Sequence, residues 1–213
     1  VRNPRNRIVN PSMAISQEKG FGTVSLPNTA YYVSDQFFTF NTATGTTGLV
    51  LESSYQNLDG NRSVRLTTTT AGVTYAGTDN GGRFHQKFEQ HNVLDLDNGG
   101  VSVAFKCRTN WTGKLSVCIL NAGATRSYLI DVDVVSGINN VHVVVPFESN
   151  TVGAETIGSN VGLELMIGYN NEGTFQQSAA LNGTWQSSIG ITSTASTQWT
   201  KTINNYVEIT NVD

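Results

Sequence analysis

Two runs of alternating apolar and polar residues flank a short polar link in the middle of the chain. The runs are Val101–Arg108 (VSVAFKCR) and Lys114–Ile119 (KLSVCI), and the link is Thr109–Gly113 (TNWTG). Successive side chains of a strand point to opposite faces, so an alternation of period two predicts two β-strands that each bury one face. A short link that contains Asn and Gly is typical of a hairpin loop. The sequence therefore predicts a β-hairpin with Trp111 at its exposed tip.

The same alternation recurs along the rest of the chain, without intervening helical patterns. It predicts seven further strands, at Leu49–Glu52, Ser63–Thr67, Phe84–Glu89, Ser127–Val134, Asn140–Phe147, Val161–Tyr169 and Asn205–Val212. Many short strands without helices favour an all-β, antiparallel β-sandwich of the jelly-roll type. Between residues 170 and 202 the alternation weakens, which predicts one long loop-rich insertion near the C-terminus.

The amino-acid composition argues against several classes of function. The 213 residues include 26 Thr, 22 Asn and 21 Gly, only 14% are charged, and the net charge is −3. Nucleic acid is not an expected partner, because phosphate binding needs clustered Lys and Arg. No apolar run approaches the ~20 residues of a membrane-spanning helix, so we expect a soluble protein. One domain over residues 12–213 is predicted, preceded by an N-terminal arm at 1–11.

The two cysteines are predicted to be unpaired. If Phe105 and Cys107 face the core, then Val117 and Ile119 do as well, and Cys118 points to the opposite face. A disulfide across the hairpin is therefore not expected. Free thiols are typical of proteins that assemble in a reducing cytoplasm.

No motif indicates an enzyme. His85, His91 and His142 lack the spacing of a zinc site, and neither a nucleophile elbow nor a phosphate-binding loop is present. Asp95/Asp97 and Asp131/Asp133 are local carboxylate pairs, whereas glycoside hydrolysis uses carboxylates that face each other across a cleft. Such pairs are a weak signal for calcium, and solvated carboxylates are the favoured interpretation. We therefore expect a non-enzymatic protein without a metal or other cofactor.

Carbohydrate binding fits the surface chemistry better. Sugars are recognised by aromatic faces and by amide groups that bond to hydroxyls, and both are abundant in this sequence. The predicted carbohydrate-binding residues lie in loops or at strand ends: Trp111, Tyr75, Tyr169, Asn170 and Trp185. For each of these aromatics, folding back over an end of the sandwich remains the alternative. The aromatics of the early strands are predicted to be core and edge residues, not site residues: Tyr31, Tyr32, Phe37, Phe38 and Phe40.

Several segments, in order along the chain, resemble a β-sandwich domain that is common in fibre and structural proteins of tailed bacteriophages. They are Asn6–Gln17, Tyr32–Phe37, Phe84–Leu96, Val101–Gly113, Thr125–Tyr128 and Tyr206–Val212. Gln36-Phe37 stands where that family more often has Arg-Trp. The resemblance covers nearly the whole chain, although its positions are structural and none is a catalytic signature.

The resemblance implies a virion structural protein, in a fibre, spike, tail or capsid surface, with a jelly-roll domain similar to carbohydrate-binding modules. We expect it to recognise host-surface glycans and to form a homotrimer with other virion proteins as neighbours. The alternative is a capsid cement or decoration protein, anchored to neighbouring capsid subunits by Arg2, Arg5 and Arg7 of the arm. A third reading, the binding module of a secreted polysaccharide-degrading enzyme, predicts a signal peptide, paired cysteines and a separate catalytic domain.

Overall fold

The alternating segments form strands, as the sequence predicts. The structure, a computed structural model, describes residues 7–17, 20–26, 30–41, 50–70, 82–93, 96, 99–121, 123–147, 161–169 and 174–213. The strands are β1 (Val24–Leu26), β2 (Ala30–Ser34), β3 (Phe37–Asn41), β4 (Val50–Leu58), β5 (Asn61–Thr70), β6 (Gly82–Glu89), β7 (Gly100–Thr109), β8 (Gly113–Asn121), β9 (Ser127–Val134), β10 (Gly137–Pro146), β11 (Val161–Tyr169), β12 (Gln176–Gln177), β13 (Thr184–Gln186), β14 (Thr192–Ser193) and β15 (Tyr206–Thr210).

Two antiparallel sheets pack face to face. The six-stranded sheet has the order β1-β4-β5-β15-β7-β10, and the seven-stranded sheet has the order β13-β9-β8-β11-β6-β3-β2. The chain passes repeatedly between the sheets, which is the pattern of a jelly roll. The predicted all-β, antiparallel sandwich of the jelly-roll type is confirmed. In the described part of the chain, no helix has the length and apolar character needed to span a membrane.

One hydrophobic core fills the space between the sheets. The six-stranded sheet contributes Phe105 and Val143, and the seven-stranded sheet contributes Phe84, Val117 and Leu165. Because each strand alternates, these residues face inward while their neighbours face solvent or a second covering layer. In β7 and β10 the alternation in sequence therefore matches the alternation in burial, whereas β8 and β11 are buried on both faces.

The predicted hairpin between the two runs is wrong. Strand β7 pairs with β10 and β15, whereas β8 pairs with β9 and β11 in the other sheet. The link at residues 109–113 therefore crosses from one sheet to the other. A strand that buries one face has the same alternation in a hairpin as in a crossover, so the pattern alone does not identify the partner strand.

The predicted orientation of the cysteines is confirmed. Cys107 lies in the core between the sheets, and Cys118 belongs to a second apolar cluster on the outer face of the seven-stranded sheet. Both thiols are buried and free. Burial raises the pKa of Cys107 to about 12, and it also raises that of Cys118.

Residues 7–11, the described part of the predicted N-terminal arm, pack against the sandwich. The backbone of Val9 exchanges two hydrogen bonds with the Gln86 side chain, at 3.1 and 2.8 Å. The Pro11 carbonyl accepts a hydrogen bond from the Val212 amide. These bonds tie both ends of the described chain to the strands, so residues 7–11 do not project as a free arm.

Candidate functional site

Trp111 is not at an exposed tip. Only 8% of the residue is exposed, and its indole lies in the core where the chain crosses between the sheets. The indole Nε1–H donates to the Tyr206 carbonyl at 3.0 Å. The prediction of Trp111 as an exposed sugar contact depends on a hairpin loop, but at a crossover the same residue faces inward and offers no face to a sugar ring.

Tyr169 is also buried, contrary to its predicted role as a sugar contact. It is the last residue of β11 and continues the inward-facing row of Leu163, Leu165 and Ile167. Its ring centroid lies 5.8 Å from that of Trp199 in the core. Because Tyr169 lies an even number of residues from these inward-facing positions, its ring also lies between the sheets.

The other predicted sugar contacts are Tyr75, Asn170 and Trp185. Tyr75 and Asn170 lie outside the described residues. Trp185, on β13, is half-buried; its ring packs beside Tyr128 and Phe147, and its Nε1–H donates to the Pro146 carbonyl. Trp185 thus closes one side of the sandwich.

Of the predicted arm anchors, only Arg7 lies in the described part of the chain. Its guanidinium donates to the Asn92 carbonyl of the same chain. Arg2 and Arg5 lie outside the described residues. The contact ties Arg7 to the sandwich, and the anchor on a neighbouring protein stays a prediction.

Residues 174–198, here called the cover segment, lie on one half of the outer face of the seven-stranded sheet, except for β13, which forms the edge of that sheet. They form the predicted loop-rich insertion and pair as β12–β14 and as β13–β9. Ile191 packs with Phe175 and Ile189 against an apolar patch made of Cys118, Leu120, Leu129 and Met166. The Ser127 hydroxyl donates to the Ser188 carbonyl at 2.7 Å, and the Thr197 amide donates to the Lys114 carbonyl at 2.9 Å. The cover segment is therefore an ordered layer over strands β8, β9 and β11.

The other half of this outer face carries an aromatic platform, defined as Tyr32, Phe38 and Phe40. Tyr32 is 49% exposed, and its ring centroid lies 5.4 Å from that of Phe38. Phe38 and Phe40 are half-buried and lie on the same face of β3, two residues apart. Three neighbouring rings on a solvent-facing sheet surface are unusual, because a strand normally places polar residues there.

Charged side chains border the platform. The Arg83 guanidinium lies over the Phe40 ring, 4.2 Å from its centroid, and the Lys87 ammonium is 5.8 Å from the Phe38 centroid. Lys87 also forms an ion pair with Glu164 of β11, at 3.2 Å. The site therefore combines flat apolar faces with charged donors and an acceptor.

A histidine lies beneath the platform. His85 on β6 is buried against the Phe38 ring, and its Nδ1 is 3.5 Å from a Glu164 oxygen, too long for a strong hydrogen bond. Burial, the largest effect, lowers the pKa of His85 to about 4, although Glu164 opposes the shift. Burial alone would raise the pKa of Glu164, but contacts with His85 and Lys87 outweigh it and hold that pKa below its usual value. At neutral pH His85 is uncharged, so Lys87 is the cationic partner of Glu164.

The platform is not among the site residues predicted from the sequence, although the signal is present. The prediction places all the early aromatics in one group of core and edge residues. In the structure, Phe37 is buried in the core whereas Phe38 and Phe40 face outward; Tyr31 packs against the core whereas Tyr32 is exposed. When the alternation is followed one residue at a time, Tyr31 and Phe37 fall on one face of their strands, and Tyr32, Phe38 and Phe40 fall on the other.

The local carboxylate pair at Asp131 and Asp133 is engaged by neighbouring side chains. The Ser116 and Ser193 hydroxyls donate to the two oxygens of Asp131, and Lys114 pairs with Asp133 at 2.8 Å. Among the described residues, no group of three or more His, Cys, Asp or Glu side chains could hold a metal ion. Asp95 and Asp97 lie outside the described residues.

Comparisons with known proteins find similarity in solved structures only. No protein-family model and no curated protein sequence matches this chain. A candidate sugar-binding protein from Bacteroides thetaiotaomicron has a TM-score of 0.46, 12% identity and 98% coverage of both chains. A CBM4 carbohydrate-binding module has a TM-score of 0.45, 10% identity and 97% coverage of both chains.

A third similar structure is of viral origin. The enzymatically active domain of tailspike protein 4 from bacteriophage CBA120 has a TM-score of 0.39 and 12% identity. The match covers 97% of this chain but 21% of the tailspike chain.

Proposed function

We propose that this chain is a non-enzymatic carbohydrate-binding domain and that its aromatic platform contacts the sugar. We further propose, from the resemblance described above, that it is a structural component of a bacteriophage particle that binds glycans on the host surface. The observation that carries the sugar-binding proposal is the row of Tyr32, Phe38 and Phe40 on an outer sheet face.

The physical basis is complementarity between the platform and a sugar ring. The C–H-rich face of a pyranose stacks on an aromatic ring, and its hydroxyls need donors and acceptors at the rim. Tyr32 and Phe38 provide the faces, while Lys87 and Glu164 provide a donor and an acceptor beside them. These rim groups lie on β6 and β11, so paired strands hold them in place rather than a loop.

The experiment is a glycan array followed by calorimetry on the best binder, with wild type and Tyr32→Ala. Tyr32→Ala should weaken binding about tenfold or more, equivalent to about 1.4 kcal/mol. Phe21→Ala is the matched control, because Phe21 has a similar exposure of 45% but its ring packs with Tyr55 and Arg62. Because no cofactor is proposed, EDTA should leave binding unchanged.

Equal loss of binding in both variants, or none in either, would contradict the assignment of the platform. If no glycan on the array binds and the chain binds empty phage capsids, the cement or decoration protein is favoured instead. The proposed location is tested by mass spectrometry of particles of a phage that encodes the chain. Detection in purified particles is the expected result, and absence from them would contradict it.

A further inference from the structure

The edges of the two sheets are protected unequally. The edge strands β1 and β13 have three residues each, and β2 has five with an irregular register between Tyr32 and Ser34. The fourth edge strand, β10, has ten residues and pairs with β7 in an unbroken register over its whole length. Natural proteins shorten, bulge or charge such edges because unpaired backbone groups recruit further strands. In the described part of the chain, β10 is the edge that lacks these protections.

The composition of β10 adds to this difference. Its sequence, GINNVHVVVP, contains no Lys, Arg, Asp or Glu, and its single proline is the last residue. Ile138 is 49% exposed and Val144 is 59% exposed on the outward face of the strand. A long, regular edge without Lys, Arg, Asp or Glu is a surface for strand addition.

The hydrogen bonds of β7 show which backbone groups of β10 point outward. The Ala104 N–H donates to the Asp213 carbonyl at 2.8 Å, and the Asp213 N–H donates back at 2.7 Å. Both backbone groups of Ala104 therefore point away from β10. Its partner in the antiparallel register, His142, is in a non-hydrogen-bonded pair, so the N–H and C=O of His142 point out from the sheet edge.

Every second residue of β10 shares this orientation. Pro146, the last of them, has no N–H, and its carbonyl already accepts a hydrogen bond from the Trp185 indole at 2.6 Å. The other four are Ile138, Asn140, His142 and Val144, and all four side chains are exposed. Among the described residues, no backbone hydrogen bond satisfies their outward groups. The edge thus presents four donors and four acceptors, which is enough for a complete ladder with another strand.

We propose that β10 pairs antiparallel with β10 of a second copy of this chain, about a two-fold axis at Val141. In this register Ile138 lies opposite Val144 of the second copy, and Asn140 lies opposite His142. Apolar residues then meet apolar residues, polar residues meet polar residues, and every outward N–H and C=O has a partner. The two six-stranded sheets become one continuous sheet.

The second copy is the favoured partner because the strand complements itself. A two-fold interface uses the same patch on both molecules, so the patch must match its own reversed sequence. The residues around Val141 do so in the order apolar, polar, polar, apolar at positions 138, 140, 142 and 144. The strand contains no Lys, Arg, Asp or Glu, so two copies bring none of these charges together at the interface. The platform lies on the other sheet, so a dimer would present two sugar-binding surfaces.

Light scattering on the purified chain tests the proposal. We expect a mass near twice 23.0 kDa for wild type and near 23.0 kDa for Val144→Lys, which places a charge on the edge. Ser102→Lys is the matched control, because Ser102 lies directly opposite Val144 on β7 and is exposed on the same face. This control should remain dimeric. A monomeric wild type, the homotrimer expected from the family resemblance, or a dimer that survives Val144→Lys would overturn the proposal.

Cross-linking tests the register. Asn140→Cys and His142→Cys, mixed and oxidised, should form a disulfide between chains, because Cα atoms in a hydrogen-bonded pair are about 5.5 Å apart. Each variant alone should not cross-link. The native thiols Cys107 and Cys118 are buried and do not compete. A disulfide in either variant alone would overturn this register, and no disulfide in the mixture would do so as well.

Discussion

Trp111 and Trp199 stack with nearly parallel indole rings, 6.2 Å between centroids and 7° between planes, at the point where the chain crosses between the sheets. Both residues are buried, and the side chain of Asn110 ties the crossover to Asn204 and Tyr206 with two hydrogen bonds of 3.0 Å. This stack closes one end of the core.

Trp111→Ala should therefore be strongly destabilising. Truncation of a buried tryptophan leaves a cavity and removes the ring stack, which together cost about 3–5 kcal/mol. Urea unfolding measures the loss. Ile203→Ala, an exposed apolar residue near the same end, should change the free energy of unfolding by less than about 0.5 kcal/mol. Equal effects of the two substitutions would contradict the buried position of Trp111.

Stability should fall as the pH is lowered from about 6.5 to 4, owing to His85. The pKa of this buried histidine is about 4 in the folded state and about 6.5 in the unfolded chain, so the unfolded state binds more protons within this window. The stabilising contribution is complete above pH 6.5 and is lost as the pH falls. The full decrease in the free energy of unfolding is about 3 kcal/mol. Denaturant titrations at several pH values measure it.

His85→Gln should remove most of this pH dependence, because glutamine does not titrate. The wild type and the variant are compared at pH 7 and pH 4. The variant should lose less stability than wild type between these two values. If the pH dependence of stability is unchanged in His85→Gln, other titrating groups cause it.

Glu208 forms a buried ionic network on the outer side of the six-stranded sheet. Its carboxylate accepts from the Ser63 hydroxyl at 2.5 Å and from two Arg65 nitrogens at 3.1 and 2.8 Å. Glu208→Gln keeps the shape but loses charge-assisted bonds, which we expect to cost about 2–3 kcal/mol in thermal or urea unfolding.

The control for Glu208 is Asp59→Asn, which removes an exposed ion pair with Lys106. Exposed pairs contribute about 0–1 kcal/mol, so this change should be small. Similar losses in both variants would show that burial of the Glu208 network does not matter for stability.

Gly168 allows the cover segment to lie close to strand β11. A Cβ atom at this position would be 2.3 Å from the Ile191 carbonyl oxygen, so Gly168→Ala should push the segment away from the sheet. Hydrogen exchange should then increase in residues 174–198 and change less in β7 and β10. Gly22→Ala, where a Cβ meets nothing within 4 Å, should leave the exchange pattern unchanged. Unaltered exchange in Gly168→Ala would contradict the close packing.

The position of many long strands, and the side chains that share each of their faces, could be predicted from the sequence. The predicted strands Ser127–Val134 and Val161–Tyr169 match β9 and β11 residue for residue, and the opposite orientations of Cys107 and Cys118 follow from the same alternation. These are local properties, because a period of two belongs to the strand backbone itself.

The partner of each strand, and with it the site, depends on the tertiary structure. Pairing of β7 with β15 joins residues that are about a hundred positions apart, and no local pattern specifies such a contact. That pairing turns a predicted hairpin into a crossover and buries Trp111. The cover segment likewise occupies one half of a sheet face and leaves Tyr32, Phe38 and Phe40 uncovered on the other. The sequence by itself determined which side chains share a face, and only the packing of the sheets decided which of those faces is open to a ligand.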